Sequence, residues 1–410
     1  MKTNLITITI LFFSSITFVF TQNNDSLREQ YEPLHPQGIR SENNLVELEP
    51  GKSNKLSLKL MGYVRVVASL DWGNIENTSE FIPSLIPIYP NAKEQSFRFS
   101  MDPRQSRIGF EGLYQVTHKN KLKIYIETDF YTSESITSIG IHLRQAYAAY
   151  GSFLVGLYWT AAFNVDATPN QVDFEGPSSI LAARNPQIRY TFLRQKFSFA
   201  ASVETHPADY SPYPDIDDIR EYQAFPDVIT YVQTQGSWGN LRLTGIYRTI
   251  GYSDSSNLNV DYTPGWGINF SGYVNFLNRK DIYESFYWSF SYGKGIAYYM
   301  DDISGYGYDA MPDNNEAMIS LPTYGGYVAY KHAWNQKMES NIIASYVYLD
   351  NTNVSDSLIF DNSWYGAFNY MYTPLDRIKL GIEFLYGKNT NKEQDWGEGY
   401  RIQLMGVFNF

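Results

Sequence analysis

Residues 56–71 read LSLKLMGYVRVVASLD, and this stretch decides the fold. Its even-numbered positions are all apolar or glycine, whereas its odd-numbered positions include Lys59, Arg65 and Asp71. Successive side chains of a strand point to opposite faces of the sheet, so alternation over this length predicts a long β-strand with one apolar face.

The same alternation recurs to the last residue, and no segment has a helical period. The sequence therefore predicts an all-β protein of about sixteen strands. Beyond the first, we place the strands near residues 96–112, 121–131, 140–151, 152–162, 186–193, 196–205, 226–235, 239–250, 264–275, 283–294, 324–333, 338–349, 361–373, 376–387 and 398–410.

The connections between these strands alternate in length. Short links such as Gly151-Ser152 and Pro374-Leu375 follow even-numbered strands, while long ones such as 163–185 and 295–323 follow odd-numbered strands. This pattern is typical of a transmembrane antiparallel β-barrel with short periplasmic turns and long external loops. A soluble propeller or tandem sandwich would instead show a repeat at the level of the blade or domain.

The composition agrees with a membrane barrel. Aromatic residues make up 17% of the chain and charged residues 18%, with 35 Tyr and no Cys. Few charges and many aromatics exclude a disordered chain and a nucleic-acid binder, and the net charge of −11 also argues against anionic polymers as partners. The absence of Cys excludes disulfide scaffolds and cysteine-ligated metals.

The start of the chain predicts export. Lys2, an apolar run from Leu5 to Phe20, and the polar residues that follow indicate a signal peptide over residues 1–21. That run is too short for a membrane-spanning helix. Residues 22–54 are polar and contain prolines, which predicts a periplasmic lead-in before a barrel over residues 55–410.

The last strand ends on an aromatic residue. Tyr400, Ile402, Leu404 and Phe408 share the lipid-facing parity with Phe410, the final residue. A terminal aromatic on an alternating strand resembles the signal read by the outer-membrane barrel assembly machinery. We therefore expect that machinery to be a partner through Phe410, together with outer-membrane lipid and lipopolysaccharide.

The polar face of sixteen strands would enclose a water-filled lumen. Two interpretations of its basic residues remain open: they attract small anions, or they pair with inward carboxylates such as Glu127 and Glu204 and fill the wall. The candidate pore-lining residues are Arg65, Arg98, Arg107, Arg144, Arg189, Arg242, Lys379 and Arg401.

The third long loop, residues 163–185, is the candidate constriction. It contains Asp166, Asp173 and Glu175, and the last two belong to the segment DFEGP at residues 173–177. An ordinary external loop with proline and glycine turns is the equal alternative.

Several stretches in order along the chain resemble the DcaP-like porins. They read RQSRIGF at 104–110, LRQAY at 143–147, FLVGLYW at 153–159, DFEGP at 173–177, PQIRY at 186–190 and YGKGI at 292–296. The resemblance implies a homotrimer of barrels that takes up small anionic solutes such as dicarboxylic and aromatic acids. It also implies that Arg107, Arg144 and Arg189 line the lumen and that residues 173–177 lie in an inward-folded loop.

One feature departs from that family, which often carries an N-terminal coiled coil. Residues 22–54 contain prolines and no heptads, so the sequence does not support a trimeric stalk.

Other functions are weaker alternatives. A phosphate-selective porin and a structural barrel with a blocked lumen remain open. An enzyme is not expected, because only His142 and His332 fall on strands and no glycine-flanked serine elbow is present. We predict no catalytic residues, no metal site and no cofactor, since pairs such as Asp301-Asp302 lack ligand spacing.

Overall fold

The computed structural model describes the barrel and most of its connections. The described residues are 46–48, 56–73, 75, 77–88, 97–117, 120–132, 139–194, 196–205, 209, 211, 219–221, 223, 225–254, 260–278, 282–314, 317–354 and 358–410. The predicted signal peptide and most of the predicted lead-in lie outside this set.

Sixteen long strands form the wall within the described residues, and the second of them is split in two. We number them in chain order: β1 Leu56–Gly73, β2 Arg98–Asp102 with Arg107–Gln115, β3 Lys121–Tyr131, β4 Ile139–Tyr150, β5 Phe153–Trp159, β6 Arg184–Arg194, β7 Phe197–Glu204, β8 Asp227–Gly236, β9 Gly239–Asp254, β10 Val260–Asn278, β11 Tyr283–Lys294, β12 Pro322–Asn335, β13 Met338–Leu349, β14 Phe360–Leu375, β15 Ile378–Asn391 and β16 Trp396–Asn409.

The sheet closes on itself. Each strand pairs antiparallel with the next, and β16 returns to β1 in a register that places Asp71 opposite Arg401 and Tyr63 opposite Asn409. Beyond that ladder, the backbone of Phe410 exchanges two hydrogen bonds with Gly62, at 2.9 and 3.2 Å. Closure pairs the backbone groups that lipid could not satisfy, and it confirms the predicted antiparallel barrel.

The faces of the wall follow the predicted parity. On β1, Val64 is 50% exposed and the adjacent Arg65 only 5%; on β16, Leu404 is 54% exposed and Arg401 is fully buried. Apolar side chains therefore point outward and charged ones inward, as the alternation in the sequence indicates.

Two local features differ from the predicted strands. The strand predicted over residues 96–112 is interrupted at 103–106, because Pro103 has no N–H to give to the ladder. A short strand, Val46–Leu48, lies within the predicted lead-in and pairs with residues 58–60 of β1. Within the described residues, no helix has the length and apolarity needed to cross a bilayer.

Three of the long loops pack against inward-facing wall residues: L1 (74–97), L3 (160–183) and L6 (295–321). L6 contributes Ile296, Tyr299 and Met300 to an apolar core with Ile229 of β8 and Val347 of β13. This side of the barrel interior is therefore filled by the protein's own loop.

L6 is held in place by a buried ion pair and its neighbours. The Arg248 guanidinium on β9 donates to Asp309 Oδ2 at 2.6 Å and to the Gly295 carbonyl at 2.9 Å, and it lies 3.3 Å from Asp227. The Tyr299 hydroxyl donates to Asp227 Oδ2 at 2.7 Å. These contacts join the beginning and the middle of L6 to the wall.

Candidate functional site

Four arginines form a group inside the barrel, which we call the arginine cluster: Arg65 of β1, Arg107 of β2, Arg144 of β4 and Arg184 of β6. Arg107 is close enough to each of the other three for direct electrostatic interaction. Inward parity, which repeats every second residue, brings Arg65, Arg107 and Arg144 to the interior. Arg184 has the opposite parity to the inward Asn185 and Gln187 of its own strand, and it pairs with Trp159 at the first position of β6.

Carboxylates of β3 neutralise part of this cluster. Arg144 Nη1 donates to Asp129 Oδ2 at 2.6 Å, and its Nε lies 3.6 Å from Glu127. Arg107 Nη1 lies 3.4 Å from the same Glu127 carboxylate. Asp129 and Glu127 thus form ion pairs with two of the cluster's four guanidinium groups.

The other two arginines have different surroundings. Arg65 Nη2 donates to the carbonyl of Val172 in L3, and the Arg184 guanidinium lies over the Trp159 ring at 5.2 Å from its centroid. Neither forms an ion pair with any residue that the structure describes. Asp173 and Glu383 act on Arg65, and Asp129 and Glu175 act on Arg184, as electrostatic neighbours without an ion pair.

The ring of Phe174, from L3, lies against three members of the cluster. The guanidinium carbons of Arg144, Arg107 and Arg65 are 5.0, 5.4 and 5.9 Å from its centroid. These distances are within the range of cation–π attraction. The face of one aromatic ring thus borders several positive charges at once.

Hydrogen bonds to the wall fix the backbone on the N-terminal side of Phe174. The amide of Asp173 donates to Glu383 of β15 at 2.5 Å, and the Tyr365 hydroxyl of β14 donates to Asp173 Oδ2 at 2.9 Å. Gly176, two residues after Phe174, has φ of +96°, a left-handed conformation that suits glycine. L3 therefore presents Phe174 from a defined position.

Three carboxyl groups from different loops meet beside this segment: Glu80 of L1, Glu175 of L3 and Asp301 of L6. We call them the carboxyl trio. Glu175 is hydrogen-bonded to both of the others. Burial and then the neighbouring Glu175 raise the pKa of Glu80 to about 9. Burial is the main cause that raises the pKa of Asp301 to about 7. The trio thus holds protons near neutral pH and contributes less negative charge than three ionised carboxylates would.

The remaining sequence candidates lie apart from the cluster. Arg401 and Arg98 both face Asp71, at 2.5 and 3.7 Å. Arg189 lies 4.0 Å from Glu204, and Lys379 is partly exposed on β15.

Arg242 and Asp166 lie near each other where L3 meets β9. Arg242 donates to Gln233 and to the Phe163 carbonyl, both at 2.7 Å, and it lies 4.0 Å over the Tyr231 ring. Asp166 accepts from Asn240 at 3.3 Å, and burial raises its pKa.

Sequence reasoning missed several residues of the site. Arg184 precedes the strand predicted over 186–193, although it is the first residue of β6 and pairs with Trp159. Asp302, expected with Asp301 on an external loop, is buried and accepts from the Ser84 amide at 3.0 Å. Strand parity carries no information about where a loop folds, and it would place Arg184 on the face opposite to the buried Asn185 and Gln187, so the alternation predicts neither Arg184 nor Asp302 as a residue of the site.

Among the described residues, no group of three or more His, Asp or Glu side chains has an arrangement that could hold a metal ion. His142 Nδ1 lies 2.9 Å from Asp129 Oδ1, the carboxylate that also binds Arg144. The imidazole thus belongs to the ionic network of the wall.

This chain is similar to one known protein family and to several solved barrels. The family model described as DcaP outer membrane protein matches residues 38–211. The crystal structure of the outer membrane channel DcaP of Acinetobacter baumannii is similar, with a TM-score of 0.72 and 17% identity over 88% of this chain and 99% of that chain. The resemblance to the DcaP family is confirmed. The protein is an integral protein of the outer membrane.

Other solved barrels share the fold at lower identity. The anion-selective porin from Comamonas acidovorans has a TM-score of 0.56 and 10% identity, and the match covers 87% of this chain and 100% of that chain. OmpT of Vibrio cholerae has a TM-score of 0.54 and 12% identity, and the match covers 88% of this chain and 99% of that chain. No protein with a curated description matches this chain.

Proposed function

We propose that this chain forms a water-filled channel for the passive uptake of small solutes, with a preference for anions such as dicarboxylic acids. The observation that carries this proposal is the concentration of four guanidinium groups in the arginine cluster, of which Arg65 and Arg184 have no ion pair with a described residue. Guanidinium groups offer planar pairs of N–H donors that match a carboxylate, and a ring of such groups favours anions in a pore. The anion-selective porin of Comamonas has the same fold.

Within this proposal, L3 narrows the channel and carries Asp166, Asp173 and Glu175 into it. The basic residues Arg65, Arg107, Arg144 and Arg184 form the narrowest charged wall. The other inward-facing basic residues act along the rest of the path: Arg98, Arg189, Arg242, Lys379 and Arg401.

We extend the proposal to the protein's surroundings. Residues 1–21 direct export, Phe410 is read by the barrel assembly machinery, and three copies assemble in outer-membrane lipid and lipopolysaccharide. Some solved barrels of similar fold are trimeric, as the trimer form of OmpT is described. The proposal assigns no catalytic step and no cofactor to the chain.

Electrical recording of the purified protein in planar bilayers tests the function. In a KCl gradient we expect a reversal potential of the sign that indicates chloride preference. Succinate should block the current in a concentration-dependent manner, whereas its neutral diamide should not. A reversal potential of the opposite sign would rule out the anion preference.

A structural barrel with a blocked lumen is the second candidate, and the apolar core of L6 favours it. Ile296, Tyr299 and Met300 fill one side of the interior. A blocked barrel would give no conductance steps in the same recordings. A phosphate-type porin would be recognised by stronger block with phosphate than with succinate.

A further inference from the structure

The position of Phe174 relative to the arginine cluster suggests a role for this residue. We propose that Phe174 sets the selectivity of the channel by covering three guanidinium groups with its ring. This inference rests on the proposed function, because it concerns how strongly the same cluster attracts anions.

The ring and the β3 carboxylates occupy different parts of the guanidinium groups. Carboxylates bind guanidinium N–H edges, as Asp129 binds Arg144 at 2.6 Å. The Phe174 ring instead offers its negative π-face to the charges of Arg65, Arg107 and Arg144, within 5.0 to 5.9 Å. An anion that approaches from the lumen therefore meets an apolar ring and a partly balanced charge.

Three features indicate a built arrangement. The Arg65 guanidinium donates to the Val172 carbonyl, two residues before the ring. Asp173 is tied to Tyr365 and Glu383, and Glu175 to the carboxyl trio. Both neighbours of Phe174 are thus fixed to other elements, so the backbone that carries the ring cannot leave the cluster without breaking those contacts.

Two substitutions separate the effect of the π-face on the arginine charges from the effect of side-chain volume on the width of the channel. Leucine keeps much of the volume of phenylalanine but has no π-face, so Phe174→Leu would remove the charge compensation and leave the path largely filled. Phe174→Ala would remove both. Phe163→Leu is the matched control, because Phe163 is also in L3 but makes an edge-to-face contact with Trp159, with the ring centroids 5.1 Å apart.

Reversal potentials of the full chain in a KCl gradient test the proposal, after the folded state of each variant has been checked by heat-dependent migration on gels. We expect the chloride-to-potassium permeability ratio to rise at least about twofold in Phe174→Leu and Phe174→Ala, on the scale of several cation–π contacts. Conductance should increase clearly only in Phe174→Ala. Phe163→Leu should leave the ratio unchanged.

The outcomes separate this inference from the proposed function. If the wild-type channel prefers cations, the proposed function fails, while a shift toward chloride in both Phe174 variants still supports the role of the ring. If the wild type prefers anions and Phe174→Leu leaves the ratio unchanged or lowers it, the role of Phe174 is overturned and the function stands. If Phe174→Ala does not fold, Phe174→Leu decides alone.

Discussion

Arg401 forms a two-pronged ion pair with Asp71 across the seam where the last strand meets the first. Its Nε lies 2.5 Å from Asp71 Oδ1 and its Nη2 lies 2.9 Å from Oδ2, and the same Nη2 donates to the Asn77 carbonyl of L1 at 2.7 Å. One side chain thus joins both edges of the closed sheet and the loop between β1 and β2.

Asp71→Ala should destabilise the closed barrel. It leaves the buried Arg401 charge without its carboxylate, and removing one partner of a buried pair costs about 3–5 kcal/mol. We expect a lower temperature for the loss of the compact, heat-sensitive band on gels. Asp395→Ala, an exposed site on the loop before β16, is the control. An unchanged transition in Asp71→Ala would contradict the importance of the pair.

Gly62→Ala should impair closure at the same seam. A Cβ at Gly62 would lie 2.6 Å from the Arg107 carbonyl oxygen and 2.6 Å from Phe410 Cζ, and the backbone oxygen cannot turn aside. We expect a smaller folded fraction in refolding yields. Gly406→Ala on β16 is the matched control, since nothing lies within 4 Å of its added Cβ. Equal yields for both variants would show that the close approach is tolerated.

Arg184→Gln should weaken anion preference without loss of stability. The Arg184 guanidinium has no ion pair with a described residue, so its removal leaves no carboxylate stranded. Arg144→Gln, by contrast, removes the partner of the buried Asp129 and should lower both selectivity and stability. Reversal potentials and thermal transitions measured on both variants separate the two effects. A large loss of stability in Arg184→Gln would indicate that its charge is structurally required.

Alkaline pH should loosen the contacts between L1, L3 and L6. The carboxyl trio has raised pKa values, so it binds protons more tightly folded than unfolded. The stability that it supplies is therefore complete below the ordinary carboxyl pKa and is lost as the pH rises through about 7 for Asp301 and about 9 for Glu80. Tyr131 and Arg104 face Glu80, and Asp173 faces the other two members.

Single-channel current noise measures this loosening. We expect it to rise between about pH 7 and about pH 9 in the wild type. Glu80→Gln stays neutral over that range and should show a smaller rise. Noise that does not depend on pH in the wild type would mean that the trio does not hold the loops.

The strands could be predicted from the sequence because lipid enforces a strict alternation. Val64 and Leu404 face outward and Arg65 and Arg401 inward, with no exception at the seam. The break in β2 is harder to predict from the sequence, since one proline, Pro103, interrupts an otherwise regular pattern.

The site could be predicted only in part. Arg65, Arg107 and Arg144 lie on strands, so parity alone selected them. Phe174 and Asp301 lie on loops, where position depends on contacts far apart in the sequence, such as that between Asp173 and Tyr365. No local pattern encodes those contacts.

The core formed by L6 gives the barrel a second apolar surface, turned toward its own interior. Ile229, Val347 and Ile296 are as compatible with the hydrocarbon of the bilayer as with the core formed by L6. The bilayer and this core therefore compete for these side chains while the strands insert. A barrel without such an internal core has no such competition. Correct folding here requires L6 to lie on the inner side of the sheet before the sheet closes. Substitutions in this core should therefore change the yield of assembly rather than the solute that passes.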